Sequence, residues 1–414
     1  MHKLLQFFRK DSIYFYASTI IAVTLFLPQY IINSISIIAL ITLWVINGSY
    51  KKINNVLKNE VIIIFMLLYL SFIIGTLYSN NINDALKLLK LRLPILLLPI
   101  LYSTTKRFTH KETKLFKIIF IGAALIACMF CHASLLFAWA KTGDSFSELI
   151  RSHKYSYTYI TNVIDLQPTY FSYLLIICLI FLESTISKTK AVKTKILYII
   201  ISIYFILFLI HITSRIALLV LVFGFLFYLT HNLFKKNYKA FFITFFILIS
   251  GVIASTQFEF TVKRYKQVAN IFIPQKGVVH KNSGYRVFSF KAFKSNFKEH
   301  PFFGEGLADG QEELDNYFDE IGFPHMKGVD YHNQYIQTTV ELGVIGLIIF
   351  LLTLLIPLRM SIIQKNKEFF LFLMVTIMFL AVENMFIRHK GVVPYALFNA
   401  LFLFGFLKKE NLNE

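Results

Sequence analysis

Long apolar runs separated by short basic loops repeat along the whole of this 414-residue chain. The runs fall at 12–28, 30–47, 60–78, 87–102, 115–140, 168–183, 196–212, 216–230, 240–255, 334–358, 369–386 and 392–407. They approach or exceed the length that carries a helix across a bilayer, about 20 residues with a lower limit near 17. The first two are parted only at Pro28 and Gln29, which predicts a tight hairpin. The pattern predicts an all-α, polytopic integral membrane protein of about twelve transmembrane helices, with residues 1–414 forming one membrane domain. One long hydrophilic segment, 257–331, lies between spans nine and ten.

The tenth run begins in an unusual way. Residues 331–352 read YHNQYIQTTVELGVIGLIIFLL, so His332 in a polar loop passes without a break into an apolar helix. Gln334, Gln337 and Glu341 recur at +3 and +4 and share one helix face. Such a stripe on a membrane-spanning segment must face the protein interior or water. Gly343 and Gly346 predict a smooth strip on which a neighbouring helix can pack closely.

Composition agrees with the pattern, at 56% hydrophobic and 16% charged residues, against about a quarter charged in soluble domains. The net charge of +19 could suit nucleic acid, but the lysines lie between apolar runs, so no nucleic-acid partner is expected. Loops rich in Lys and Arg alternate with loops poor in them. With twelve spans, both termini are cytoplasmic and the 257–331 loop faces outward. The apolar run after the basic N-terminus has no small-residue cleavage site and reads as a retained helix. Cys128 and Cys131 form a CxxC inside an apolar run, which predicts buried thiols and not a redox pair.

That topology gives the chemically distinctive residues a side. Arg215 occupies a minimal outward turn between spans seven and eight; taken alone, it reads equally as a snorkelling helix-end arginine. Arg286 heads a predicted helix in which Phe290, Phe293 and Phe297 follow on one face and Lys291, Lys294 and Lys298 on another. This helix is expected to lie on the outer membrane surface or on the helix bundle, ending at Pro301, Gly304 and Gly306. His300 belongs to that turn, and His325 reads as solvated. The acidic residues between Glu305 and Glu320 read as a solvated helix, since no metal-loop spacing is present. Glu383, near the outer end of span eleven, can pair with Arg388 or with an active-site arginine. Lys87, Lys90 and Arg92 form a basic start to span four. Arginine forks suit phosphate oxygens, and a histidine suits proton transfer from a hydroxyl. Cationic groups at headgroup depth on an outward face suit a lipid-linked diphosphate.

Three passages carry a resemblance to the O-antigen ligase and O-antigen polymerase superfamily of bacterial envelope proteins. TSRIALLVLVFGF at 213–225 resembles that family's Ser-Arg helix start. YRVFSFKAFKSNFKEHPFFGEG at 285–306 resembles its arginine-led loop helix with a terminal His-Pro-x-x-Gly-x-Gly turn. YHNQYIQTTVELGVIGLIIF at 331–350 resembles its His-Asn signature followed by Glu-x-Gly. QPTYFSYLL at 167–175 is a weaker match, with Gln167 where related sequences often carry histidine, so Gln167 is given no role.

The resemblance implies a metal-independent glycosyltransferase, without cofactor, in the bacterial inner membrane with its active site facing the periplasm. The donor would be a glycan on undecaprenyl diphosphate. In a ligase the acceptor is a sugar hydroxyl of lipid A-core; the alternative is a polymerase that extends another undecaprenyl-linked glycan. The single dominant outward loop favours ligase. A third reading is a non-enzymatic transporter of lipid-linked glycans, although the intramembrane charges cluster at the outer ends. Carried over by position, Arg215 and Arg286 would hold the diphosphate and His332 would orient or deprotonate the acceptor. Glu341 would brace the helix or hold an arginine. Arg92, Lys90, Gln334 and Gln337 complete the expected substrate-binding set.

Overall fold

The computed structural model describes residues 12–239 and 284–406, with a few isolated positions between them. Helices and turns make up the described residues, with no strand among them. Every predicted apolar run except the ninth lies mainly on helix; most of the ninth, 240–255, falls outside the described residues. Among the described residues, six helices are long and apolar enough to cross a membrane: Glu60–Leu77, His110–Ala140, Pro168–Lys188, Val192–His211, Arg215–Phe234 and Gln334–Ile363. The others are shorter, or carry charges as Ile82–Thr104 does. CxxC residues Cys128 and Cys131 are buried free thiols, as is Cys178.

In chain order we number the principal helices α1 (Ile13–Thr24), α2 (Tyr30–Ile46), α3 (Glu60–Leu77), α4 (Ile82–Thr104), α5 (His110–Ala140), α6 (Pro168–Lys188), α7 (Val192–His211) and α8 (Arg215–Phe234). After the undescribed stretch come α9 (Gly284–Glu299), α10 (Asp309–Glu320), α11 (Gln334–Ile363), α12 (Lys367–Leu380) and α13 (His389–Ala400). The chain divides into two packed units, Met1–Phe120 with Gly284–Glu414, and Ile121–Ser283.

In the first unit α3, α4, α11 and α13 form the centre, with α12 against α11 and α1 paired with α2. The 28–29 break makes the expected hairpin, locked where Asn33 Nδ2 donates to the Ile21 carbonyl at 2.7 Å. Predicted loop 257–331 contains ordered helix: α9 and α10 pack on each other and on the outer turns of α11. The line of α9 that turns inward is Ser289, Ala292 and Asn296. Its phenylalanines flank that line as a ladder, with ring centroids 5.9 Å apart for Phe290–Phe293 and 5.7 Å for Phe293–Phe297. Small residues face the bundle because they allow α9 to approach closely. The acidic α10 is exposed at Glu312 and Glu313 as expected. Asp309 departs from that reading: it is buried and accepts from Ser79 Oγ, Asn80 N and Asn81 N, fastening α10 to the turn between α3 and α4.

In the second unit, α6 packs against α7 and α8. His132 on α5 hydrogen-bonds Tyr204 at 2.9 Å and His211 at 3.2 Å, both on α7.

The tenth span departs most from expectation. α11 is interrupted at Gly343, whose φ of 66° and ψ of −168° are non-helical. A break inside a helix strands backbone donors and acceptors, and in lipid each must find a partner. Residues 301–306 supply them. Glu305 N donates to Val340 O at 2.9 Å and Gly306 N to Glu341 O at 3.2 Å, while Val344 N donates to Pro301 O at 2.9 Å and Ile345 N to Phe302 O at 3.3 Å. Two of the recognised motifs thus interlock. The glycines permit it: a Cβ on Gly343 would meet the Phe302 carbonyl carbon at 2.1 Å, and one on Gly304 would meet Leu342 N at 2.5 Å. Gly343 therefore receives a loop, and not the neighbouring helix its spacing with Gly346 predicts.

Candidate active site

His332 sits one residue before the N-cap of α11, in the left-handed region with φ of 47°. That conformation is costly for a non-glycine residue and persists only where the surroundings fix it. Here the Asp330 carboxylate accepts from the His332 backbone N at 2.7 Å. Asn333 then caps α11, its Oδ1 accepting from Tyr335 N at 2.9 Å and Ile336 N at 3.1 Å. The backbone is thus pinned on both sides of residue 332. The imidazole Nδ1 lies 3.3 Å from Asp330 Oδ1 and 3.6 Å from Glu383 Oε2. The ring's Nε2 therefore turns away from the two carboxylates. Burial raises the Asp330 carboxyl above its ordinary range; His332 pulls it back down, Glu383 pushes it further up, and Arg388 pulls it down.

Arg286, at the start of α9, reaches this corner. Its Nη2 donates to the Val382 carbonyl at 3.3 Å, one residue before Glu383. Asp330, His332, Glu383 and Arg286 thus converge in the first unit. Asp330 has no sequence signal beyond its place two residues before the histidine. Glu383 was singled out as an arginine partner, and the structure sets it beside His332.

The polar stripe of α11 is scaffold. Gln334, Gln337 and Glu341 are buried. Gln337 Nε2 donates to Glu341 Oε1 at 2.8 Å, and Asn384 Nδ2 donates to Gln337 Oε1 at 2.9 Å. Gln334 Oε1 accepts from Phe386 N at 2.7 Å. Glu341 takes a bidentate pair from Arg92, at 2.6 and 2.9 Å, with both side chains fully buried. Arg92 Nε also donates to Phe386 O at 3.1 Å. The stripe therefore ties α4, α11 and residues 384–386 together, which holds Glu383 against His332. Arg92, expected among the diphosphate contacts, is fully buried and engaged in this pairing. Gln334, Gln337 and Glu341 likewise spend their polar atoms within the protein. Lys90 is exposed on α4.

Arg215 lies in the second unit as the first residue of α8, half-buried, after the buried pair Thr213 and Ser214. Gln167 is the N-cap of α6. The ligand atoms of Asp330, His332 and Glu383 lie within 4.8 Å of one another, so these three groups also have the spacing of a cation site.

Glu305, in the turn clasping α11, is half-buried, and its Oε2 has no hydrogen-bond partner among the described residues.

A family described as O-antigen ligase matches residues 200–351, under half of the chain. The matched segment holds Arg215, Arg286, His332 and Glu341, and all three stronger motif passages; the weaker passage at 167–175 lies outside it. No curated protein matches the chain. The arginine-led α9, its glycine turn and the His-Asn start of α11, built into one unit, all fall within the 200–351 segment that is similar to the O-antigen ligase family.

Proposed function

We propose that this protein transfers a glycan from undecaprenyl diphosphate to a sugar hydroxyl of lipid A-core, at the periplasmic face of the bacterial inner membrane. The observation that carries the reading is the imidazole of His332, flanked by Asp330 and Glu383 with Arg286 one residue away. In this mechanism the acceptor oxygen attacks the anomeric carbon of the donor sugar. The bond from that carbon to the diphosphate oxygen breaks, and the diphosphate leaves with the electron pair. The hydroxyl proton passes to His332 Nε2, and the two carboxylates stabilise the resulting imidazolium. Arg286 takes the charge that develops on the leaving diphosphate, where a planar fork gives paired hydrogen bonds; for Arg215 the same task is what the family resemblance implies. The arginines do the work of charge neutralisation, so the reading calls for no metal.

The test is the glycolipid content of cells carrying variants at the arginines. Arg286→Ala and Arg215→Ala should each leave glycan on undecaprenyl diphosphate and bare lipid A-core, with transfer down by ~10²-fold or more. Arg286→Lys should also be impaired, because an ammonium lacks the fork. Chelation should leave transfer by the wild type unchanged. Full activity of an alanine variant would remove that arginine from the site. Loss on chelation would recast Asp330, His332 and Glu383 as metal ligands.

A further inference from the structure

The turn at 301–306 does more than close the gap in α11; its position along that helix sets its depth in the bilayer. It meets α11 at Val340, Glu341, Val344 and Ile345, six to eleven residues past Gln334. At 1.5 Å per residue this is roughly 9–16 Å below the outer end of the helix. Counting back about 20 residues from Arg359, near the opposite end, brings the hydrocarbon border to about residue 339. The turn therefore lies beneath that border. Irregular backbone survives at such depth only when its polar groups are satisfied by protein. Here the broken helix satisfies them on one side, and the Leu307 N donates to Gly75 O of α3 at 3.1 Å on the other. Tyr78 Oη adds a hydrogen bond to the Phe303 carbonyl.

The side chains at the tip are the opposite of the backbone. Phe302 is 65% exposed and Phe303 63% exposed. A pair of exposed phenylalanines would be costly in water. Exposed aliphatic residues also occur on the two helices the turn bonds to, Ile345, Ile348 and Leu352 on α11 and Ile73, Ile74 and Leu77 on α3. On α9, the exposed Lys291 and Lys294 lie over the Phe288 and Phe290 rings at 5.7 and 5.1 Å. Aromatic rings with ammonium groups beside them suit the boundary between acyl chains and phosphate headgroups.

We propose that residues 301–306 form a re-entrant membrane anchor, with Phe302 and Phe303 inserted among the acyl chains of the leaflet that faces the outer end of α11. The anchor fixes the height of α9, and so of Arg286 at its far end, relative to the headgroups. It stands on backbone geometry and exposure, independently of the transfer reaction.

Trp44 and Trp139 are the chain's two tryptophans. In a Trp44→Phe, Trp139→Phe background, Phe302→Trp and Phe303→Trp would each be placed in lipid nanodiscs made with phosphatidylcholine brominated at successive acyl positions. Both sites are exposed, so tryptophan displaces no core packing. Emission should be quenched several-fold more by bromines on the acyl chain near the headgroup than by aqueous iodide. Strong quenching by iodide with none by any bromolipid, at both positions, would overturn the anchor. Quenching greatest with bromines near the bilayer centre would also overturn it, since the depth from α11 would be wrong. A gel-filtration profile unchanged from the parent qualifies each variant for measurement.

Discussion

Replacing His332 by alanine should lower glycan transfer by ~10²–10⁴-fold, the usual contribution of a positioned acid or base. The protein should accumulate normally. The imidazole is 29% exposed, and the backbone restraints on residue 332 come from Asp330 and Asn333, which the substitution leaves in place. Cells should hold long glycans on undecaprenyl diphosphate and bare lipid A-core. Lipid A-core capped by a single repeat unit would instead make the protein a polymerase. Glycan collecting on the cytoplasmic side, with no transfer by purified protein, would make it a transporter. Normal glycolipids would leave His332 as a loop residue. Asp330→Asn and Glu383→Gln should each fall between wild type and His332→Ala, because each removes one of the two charges that steady the imidazolium. Two intact neighbours with no effect on rate would separate the histidine's role from theirs.

The order of apolar runs gave the helical order, because lipid demands length and apolarity and both are written in the sequence. Periodicity also placed Gln334, Gln337 and Glu341 on one face that turns to the protein interior. It could not name the partners of that face. A 3.6-residue period says which residues sit together on α11, while Arg92 and Asn384 arrive from elements 249 residues before Glu341 and 47 after Gln337. The expectation that this stripe and Arg92 meet substrate rested on each group looking unsatisfied alone, whereas the tertiary fold pairs them with one another. The break at Gly343 was hidden for a similar reason. An apolar run with small residues spaced by three reads as a packing strip, and only the docked 301–306 turn shows that the carbonyls of Val340 and Glu341 are used by another segment. The histidine was legible from its place before the helix. Its carboxylate neighbours required knowing that residues 330 and 383 come within 3.3 and 3.6 Å of one ring nitrogen.

Glu341→Ala should be the most damaging single change to the fold. It leaves the Arg92 guanidinium fully buried with its bidentate partner gone. Breaking a buried ion pair from one side costs about 3–5 kcal/mol, a large share of the stability of an ordinary domain. The loss should spread along the network: Gln337 Nε2 loses its acceptor, and Asn384, which donates to Gln337 and accepts from Asn333 N, is loosened. Arg92→Ala should be nearly as severe, leaving the carboxylate buried with only Gln337 still donating to it. The informative variant is the double change Arg92→Met with Glu341→Leu, which removes both charges and keeps most of the volume. Replacing a whole buried pair by apolar residues is often neutral or stabilising, so the double variant should recover much of the lost Tm. It should not recover full transfer, because Arg92 Nε also holds the Phe386 carbonyl and with it the segment that carries Glu383. Stability restored together with wild-type transfer would show that the pair serves the fold alone. An Arg92→Ala protein as stable as wild type would mean the guanidinium is not buried, and the scaffold drawn from it would fall.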